Sequence, residues 1–378
     1  MKRRQAVAAL LIGLCAACQV PSHPRPASTS LVRPSTLPGG WHYTYVGAEL
    51  GGELWDLAAT GPDSAWAVGA KGGKAFLLEY DGRTWRPADL PEGLGEVERK
   101  EDLRLAAAGR DDLWLFRPDP RRTRVFRRDG TGWHELPAYP WQAIDVRVFA
   151  PGDVWLLAGD RRAGHWDGTR WRTRTLPAHA SALGAAAPDD MWAVGHRDTG
   201  TGPYSQPAAM HWNGRAWRLT PTPAYRFPDP RPPEEETFLY DVVVPSGKEA
   251  WAVGVHTFNH GEGGQDPADP PPVVLRWNGS AWNRHLVPIR ATCCLLLAPD
   301  GTGGVLLGTT FAGISNTWRL TADGAVAELP KMRMPRGQIG DLTAMTHVPG
   351  THTVLAVGTL RARGAPRITV AEFDADEE

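Results

Sequence analysis

Lysine is scarce in this 378-residue chain: it occurs six times, and arginine supplies nearly all of the positive charge. The formal net charge is −1. No strong field therefore draws the chain to nucleic acid or to acidic lipid. Cysteine is also rare, with four residues and no zinc-type CxxC pair. After the first residues, no segment is long and apolar enough to cross a hydrocarbon layer of roughly 30 Å. Catalytic signatures are missing too: there is no GxSxG, HExxH, SxxK or P-loop. These gaps set aside nucleic-acid binders and the hydrolase and nucleotide-binding classes that such motifs mark. What the chain does contain is Gly (42), Pro (34) and an unusual amount of Trp (17). The length suits two average domains or one large all-β domain.

The N-terminus reads as an export signal over residues 1–18. Lys2-Arg3-Arg4 is a basic start, and Ala6 to Leu14 is an apolar core too short to span a bilayer. Leu14-Cys15-Ala16-Ala17-Cys18 follows. Small residues just before a Cys resemble the bacterial lipobox, with Cys18 as the lipidated residue and the protein held on the extracytoplasmic side of the cell membrane. Cys15 departs from the usual Leu of that motif, and an ordinary signal peptide cut after Ala17 is the plainer alternative, giving a secreted protein. Residues 19–40 are rich in Pro, Ser and Thr without apolar periodicity, which is the composition of a disordered tether.

From residue 41 on, one unit recurs. Its inner slot reads Trp66-Ala67-Val68-Gly69, Trp114-Leu115-Phe116, Trp155-Leu156-Leu157-Ala158, Trp192-Ala193-Val194-Gly195 and Trp251-Ala252-Val253-Gly254. Val305-Leu306-Leu307-Gly308 and Leu355-Ala356-Val357-Gly358 are degenerate copies. The outer slot pairs Asp-Gly or Asn-Gly with a following Trp: Asp81-Gly82 to Trp85, Asp129-Gly130 to Trp133, Asp167-Gly168 to Trp171, Asn213-Gly214 to Trp217 and Asn278-Gly279 to Trp282. Short apolar runs bounded by turn residues are strands. Asp-Gly and Asn-Gly favour tight hairpins in which both central residues take φ > 0. Units of about 40–50 residues with four strands each, A to D, are propeller blades.

The ends supply a test. The seventh unit has an A strand (Ile339–Thr346), a B strand (Val354–Gly358) and a C strand (Arg367–Phe373), and no D strand follows. Gly39 to Val46 carries the outer-strand pattern ahead of the first A strand. The chain is therefore expected to be all-β: a seven-bladed β-propeller over 41–378, with four-stranded antiparallel blades and the N-terminal strand closing the last blade. The repeat text resembles the bacterial propeller repeats of the galactose-oxidase central-domain and kelch-like superfamily, frequent in exported proteins. The resemblance implies the fold and is nearly silent on activity.

Long connections fall on the face that carries the B–C and D–A loops: Gly195 to Ala208, Gly254 to Val273, Pro221 to Glu236 and Glu92 to Asp102. Long loops on a rigid scaffold are where binding resides, although drift in exposed loops gives the same picture. Tyr204, Tyr225, Arg226, Phe227, His256, Phe258 and His260 are the binding candidates there. His256 and His260 with Glu262, Asp266 and Asp269 match no tight metal motif, and solvated loop residues are the simpler reading. In the channel, Asp56, Asp145 and Asp241 each precede the B-strand Trp by ten residues, Arg104 takes that place in the second unit, and Asp341 is assigned the related place in the seventh. A carboxylate ring suits a hard cation, but a residue repeated in register more simply serves each blade. Cys293-Cys294 are adjacent on a strand, which alternates faces, so two reduced thiols are favoured over a strained disulfide.

The Asp-Gly turns are similar to the Asp-boxes of sialidases, yet no sialidase arginine triad or Tyr/Glu pair is traceable, nor the copper ligands of galactose oxidase. The expectation is thus a non-catalytic binding scaffold at the bacterial surface, without metal or cofactor, whose partner is a protein or glycan. The alternative is an enzyme acting on glycans or a small oxidisable substrate at the channel mouth.

Overall fold

The computed structural model describes residues 40–47, 51–200, 204–259, 270–289, 295–309, 316–330, 339–361 and 366–376. The signal segment with Cys18 and tether residues 19–39 lie outside the described residues, as do His260, Glu262, Asp266, Asp269, Cys293 and Cys294.

After β1 (His42–Val46) the strands come in sets of four. Blade 1 is β2 (Glu53–Gly61), β3 (Ser64–Lys71), β4 (Lys74–Tyr80) and β5 (Trp85–Ala88). Blade 2 is β6 (Arg104–Gly109), β7 (Asp112–Pro118), β8 (Thr123–Asp129) and β9 (Gly132–Tyr139), entered through one 3₁₀ turn at Lys100–Asp102. Blade 3 is β10 (Ala143–Ala150), β11 (Asp153–Ala158), β12 (Arg162–Trp166) and β13 (Trp171–Thr175). Blade 4 is β14 (His179–Ala187), β15 (Asp190–Asp198), β16 (Ser205–Trp212) and β17 (Trp217–Thr220). Blade 5 is β18 (Glu236–Ser246), β19 (Glu249–Thr257), β20 (Val273–Trp277) and β21 (Trp282–Arg284). Blade 6 is β22 (Leu295–Pro299), β23 (Val305–Thr309), β24 (Thr317–Leu320) and β25 (Val326–Glu328). Blade 7 is β26 (Ile339–His347), β27 (Thr353–Arg361), β28 (Arg367–Asp374) and, as its outer strand, β1. All seven sheets are four-stranded and antiparallel. Their inner strands β2, β6, β10, β14, β18, β22 and β26 touch in sequence, and β26 touches β2, so the ring is closed.

Closure by the N-terminal strand is as expected. β1 pairs with β28 in the register His42↔Glu372 to Val46↔Thr369. Trp41 locks it: its Nε1 donates to Thr317 Oγ1 at 3.0 Å, and its ring lies 5.6 Å from that of Phe373. The β28 edge that an open last blade would leave is thereby covered.

The inner-slot text now has a physical cause. The A strands of blades 1, 3, 4, 5 and 7 each carry a bulge, at Trp55, Ile144, Ser181, Tyr240 and Thr343. Bulging bends the A strand over its neighbour. In four of these blades a carbonyl oxygen, of Glu53, His179, Phe238 or Asp341, then sits where a Cβ on Gly69, Gly195, Gly254 or Gly358 would be. Only glycine fits, which explains Trp-Ala-Val-Gly. The Trp of the same motif fills the seam to the next blade. Trp66, Trp114, Trp155, Trp192 and Trp251 are each 2% exposed or less. Trp155 packs its ring 5.0 Å from Trp212, and Trp192 packs 4.9 Å from Trp277 and 5.0 Å from Trp282, all on the following blade. The core is correspondingly a set of clusters, each shared by two consecutive blades.

The outer turns differ from the tight hairpins expected. In blades 1, 3, 4 and 5 four residues separate C from D. Asp81 Oδ1 accepts from the Arg83 and Thr84 amides at 3.0 and 2.8 Å, and Asp167, Asn213 and Asn278 repeat the pattern. Only the glycine takes positive φ, +89° at Gly82. The Asp or Asn is there as an acceptor that closes an Asx turn, not as a left-handed residue.

Candidate functional site

Two regions hold the polar and aromatic candidates. The first is the central channel, a cavity of about 560 Å³ walled by the A strands. Asp56, Asp145 and Asp241 point into it with Arg104 and Arg147. The bulge lets each carboxylate reach back to its own strand and across to the next. Asp56 Oδ1 accepts from the Leu57 amide, and its Oδ2 accepts from Leu105 of blade 2, both at 2.9 Å. Asp145 accepts from Val146 at 2.8 Å and from Leu183 of blade 4 at 2.7 Å. Asp241 accepts from Val242 at 2.8 Å and from Leu297 of blade 6 at 3.2 Å. Arg104 does the reverse, donating from Nε to the Ile144 carbonyl of blade 3 at 3.2 Å. These residues staple blades 1–2, 3–4, 5–6 and 2–3.

At the 4–5 seam Ala182 holds the carboxylate's register position. The seam instead relies on close approach, since a Cβ on Gly184 would lie 2.8 Å from the Val242 carbonyl oxygen of blade 5. Asp341 is not where the sequence spacing put it. The bulge at Thr343 gives that register to Ala344, while Asp341 pairs with Thr359 and meets Arg361 Nε at 2.8 Å. Ten residues before Leu355 is Met345, next to Ala344; Asp341 lies three residues further back along β26 than the position its counterparts hold.

Burial pushes the Asp56 carboxyl above its ordinary range, against the pull of its two amide donors and Arg104. Asp241 is pushed to about 6, first by burial and then by the charge of Asp145. The carboxylates thus act on the wall through backbone bonds while paying an electrostatic cost for proximity.

The second region is the loop face of blades 4 and 5. Residues 221–235, between β17 and β18, fold over β16 and β19. Their centre is Glu235, fully buried. Its Oε1 accepts the Phe227 amide at 2.8 Å and lies 2.8 Å from His256 Nε2; its Oε2 accepts Arg231 Nε at 2.8 Å. A carboxylate only accepts, so His256 Nε2 carries the proton. Burial works to raise the Glu235 pKa, but the His256, Arg231 and Phe227 donors outweigh it and hold it below the usual range. Around this clasp the Phe227 ring lies 4.3 Å from His256 and 5.2 Å from Phe258. Gln206 fixes the same loop, accepting from the Tyr225 amide at 2.8 Å and donating to its carbonyl at 2.7 Å.

Phe227, His256 and Phe258 are therefore a local core, each under 9% exposed, rather than the contact residues their loop position suggested. The Nε2 of His256 faces Glu235. Tyr204 and Tyr225 stay half-buried beneath the guanidinium groups of Arg231 at 4.4 Å and Arg284 at 4.1 Å, and Arg226 is exposed beside Asp229. The Gly195 to Ala208 connection is strand as far as Asp198 and again from Ser205, since Arg197↔Gln206 and Asp198↔Ser205 pair, and the Thr199 amide donates to the Tyr204 carbonyl at 3.1 Å.

One constellation escaped the sequence reading. Two residues before the inner Trp of blades 2 to 5 stands an acid, which meets an Arg or His on the C strand. Asp112 Oδ1 accepts Arg127 Nε at 2.5 Å, Asp153 Oδ1 lies 2.9 Å from His165 Nε2, Asp190 Oδ1 lies 2.7 Å from His211 Nε2, and Glu249 Oε1 accepts Arg276 Nε at 3.0 Å. Three of these acids also accept the indole N–H of their Trp. The recurrence of Asp or Glu two places before Trp was the available signal.

No family model matches the chain, and no curated protein matches its sequence. Solved propellers do match its shape. YCF48 bound to D1 peptide aligns with TM-score 0.55 and 15% identity over 90% of this chain and 98% of that one. YCF48 from Cyanidioschyzon merolae aligns at 0.55 and 13% over 89% and 99%. The extracellular domain of the one-component system BT4673 from B. thetaiotaomicron aligns at 0.56 and 11%, over 88% of this chain and 40% of that one. At such identities the match shows the fold, a seven-bladed β-propeller, and nothing finer.

Proposed function

We propose that this protein is an exported propeller, lipid-anchored through Cys18, that works as a non-catalytic binding scaffold for a protein partner on the outer side of a bacterial membrane. The partner docks on the loop face of blades 4 and 5, against Tyr204, Tyr225 and Arg226. The observation that carries this reading is the buried Glu235 clasp. It holds a long loop rigid over two blades, and a pre-ordered loop loses little freedom on binding. The opposite face offers only short turns. YCF48, a neighbour in shape, is one that binds a peptide, and BT4673 contributes an extracellular domain. The channel carboxylates are engaged by backbone amides, which favours a scaffold over acid–base chemistry at the mouth.

The test places a photo-crosslinking residue at Arg226 or at Arg215, on a C–D turn of the opposite face, in cells that make the protein. A discrete protein adduct from Arg226 alone supports the reading. Adducts from both positions, or from Arg215 alone, refute it. Mass spectrometry of the mature N-terminus tests the anchor separately, and an unmodified Cys18 removes it.

A further inference from the structure

We propose that His179 and His196 form a chelate for one late first-row divalent ion, of the Zn²⁺, Cu²⁺ or Ni²⁺ class, at the loop end of blade 4. The two residues are direct cross-strand partners on β14 and β15. Their rings lie parallel, 4.8 Å between centroids and 3° between planes. Asp198 shares the face of His196, two residues along the strand, and its Oδ2 is 4.0 Å from His179 Nε2. Side-chain exposure is 38% for His179 and 74% for Asp198, so an ion can enter from solvent. Gly195, next to the pair, admits the His179 carbonyl where any Cβ would collide. That contact fixes the two strands against each other, so the backbones that carry the two imidazoles are held at a set spacing.

The other strand histidines of this blade and the one before are already engaged: His165 with Asp153 at 2.9 Å and His211 with Asp190 at 2.7 Å. Among the described residues, the two stacked imidazoles have no such partner carboxylate in hydrogen-bond range, Asp198 lying at 4.0 Å from His179. A neutral imidazole is the ligand form. Two nitrogens with an accessory carboxylate suit zinc, copper or nickel, whereas calcium and magnesium want oxygen ligands throughout. Metal–nitrogen bonds of about 2.0–2.1 Å require the rings to tilt from stacked to edge-converging, a side-chain rotation at a solvent-facing position. Among the described residues no three His, Cys, Asp or Glu side chains already surround one point. The site is therefore a two-imidazole chelate whose remaining positions are open to water or to a donor from a docked partner.

The test is calorimetric titration of the full chain with Zn²⁺ near pH 7.5, and electron paramagnetic resonance with one equivalent of Cu²⁺. The expected result is one site per chain, two imidazole nitrogens coupled to copper, and binding at least tenfold weaker in His179→Asn and in His196→Asn. His165→Asn, whose ring already has a carboxylate, is expected to bind as the parent chain does. A copper spectrum lacking two equatorial nitrogens, or zinc affinity unchanged in both blade-4 variants, overturns the proposal. The copper measurement uses the unaltered chain, so it decides even if a variant fails to fold.

Discussion

Replacing Trp192 by alanine removes the side chain that fills the seam between blades 4 and 5. The ring is 2% exposed, with Trp277, Trp282 and His211 within 5.0 Å of its centroid. Burying an indole withdraws about 150–250 Å² from water. At roughly 25 cal/mol per Å² that is about 4–6 kcal/mol, an upper bound because the unfolded chain already hides some surface. Large-to-small core changes of this type cost about 3–5 kcal/mol. Unfolding entropy of about 2.1 cal/mol/K per residue over roughly 340 residues gives about 0.7 kcal/mol per degree. The expected fall in melting temperature is therefore about 4–7 °C. Scanning calorimetry, with far-UV circular dichroism as a second probe, reads it. Leu286→Ala, at a side chain 84% exposed, is the neutral comparison. A drop for Trp192→Ala smaller than about 2 °C, or equal to that of Leu286→Ala, would refute the seam assignment.

Three further outcomes are expected. Gly254→Ala drives a Cβ into the Phe238 carbonyl and costs about 1–3 kcal/mol or more, measured by denaturant midpoint; a stabilised variant would contradict the bulge explanation. Burial and the charge of Asp145 push the Asp241 pKa up to about 6 from the ordinary 3.8, so the native state binds the extra proton between those values. Its contribution to stability is accordingly full below about pH 4 and is lost as pH rises through 6. In a series of melts against pH, Asp241→Asn should abolish that step, and an unchanged profile would remove the electrostatic account. Deleting residues 1–46 exposes the β28 edge and loses the Trp41 contacts with Thr317 and Phe373. The truncated protein should melt lower and self-associate in analytical ultracentrifugation, and a monomer of unchanged stability would contradict closure by β1.

The fold was legible because its steric demands repeat. Trp fills five of the seams and Gly sits under the bulged carbonyl in four blades, so the same four letters return in blades 1, 4 and 5, where both demands hold. Where the bulge is absent, as in blade 2, Phe116-Arg117 replaces Val-Gly and the motif fades. The channel carboxylates were found by spacing, and their structural role followed from repetition. Asp341 was misplaced because it is the acid of that A strand, although the ten-residue spacing from Leu355 falls beside Ala344, which holds the register. The loop aromatics were misjudged for a different reason. Glu235 has no sequence feature that marks it as buried, and without it Phe227, His256 and Phe258 look like surface. Only the tertiary arrangement reveals a carboxylate with three donors. The His179–His196 pair likewise joins positions 17 apart that become neighbours only once the strand register is fixed.

The outer strand of blade 7 is the first piece of the domain to be synthesised and the last to find its place. The Thr44 hydroxyl donates to the Val370 carbonyl across 326 positions, and bringing ends so distant together costs roughly 5 kcal/mol of loop-closure entropy. Six blades are each built from consecutive strands, but β1 has nothing to pair with until β28 is in place. Until then the chain carries a loose strand at one end and a bare edge at the other, open to pairing with neighbouring chains.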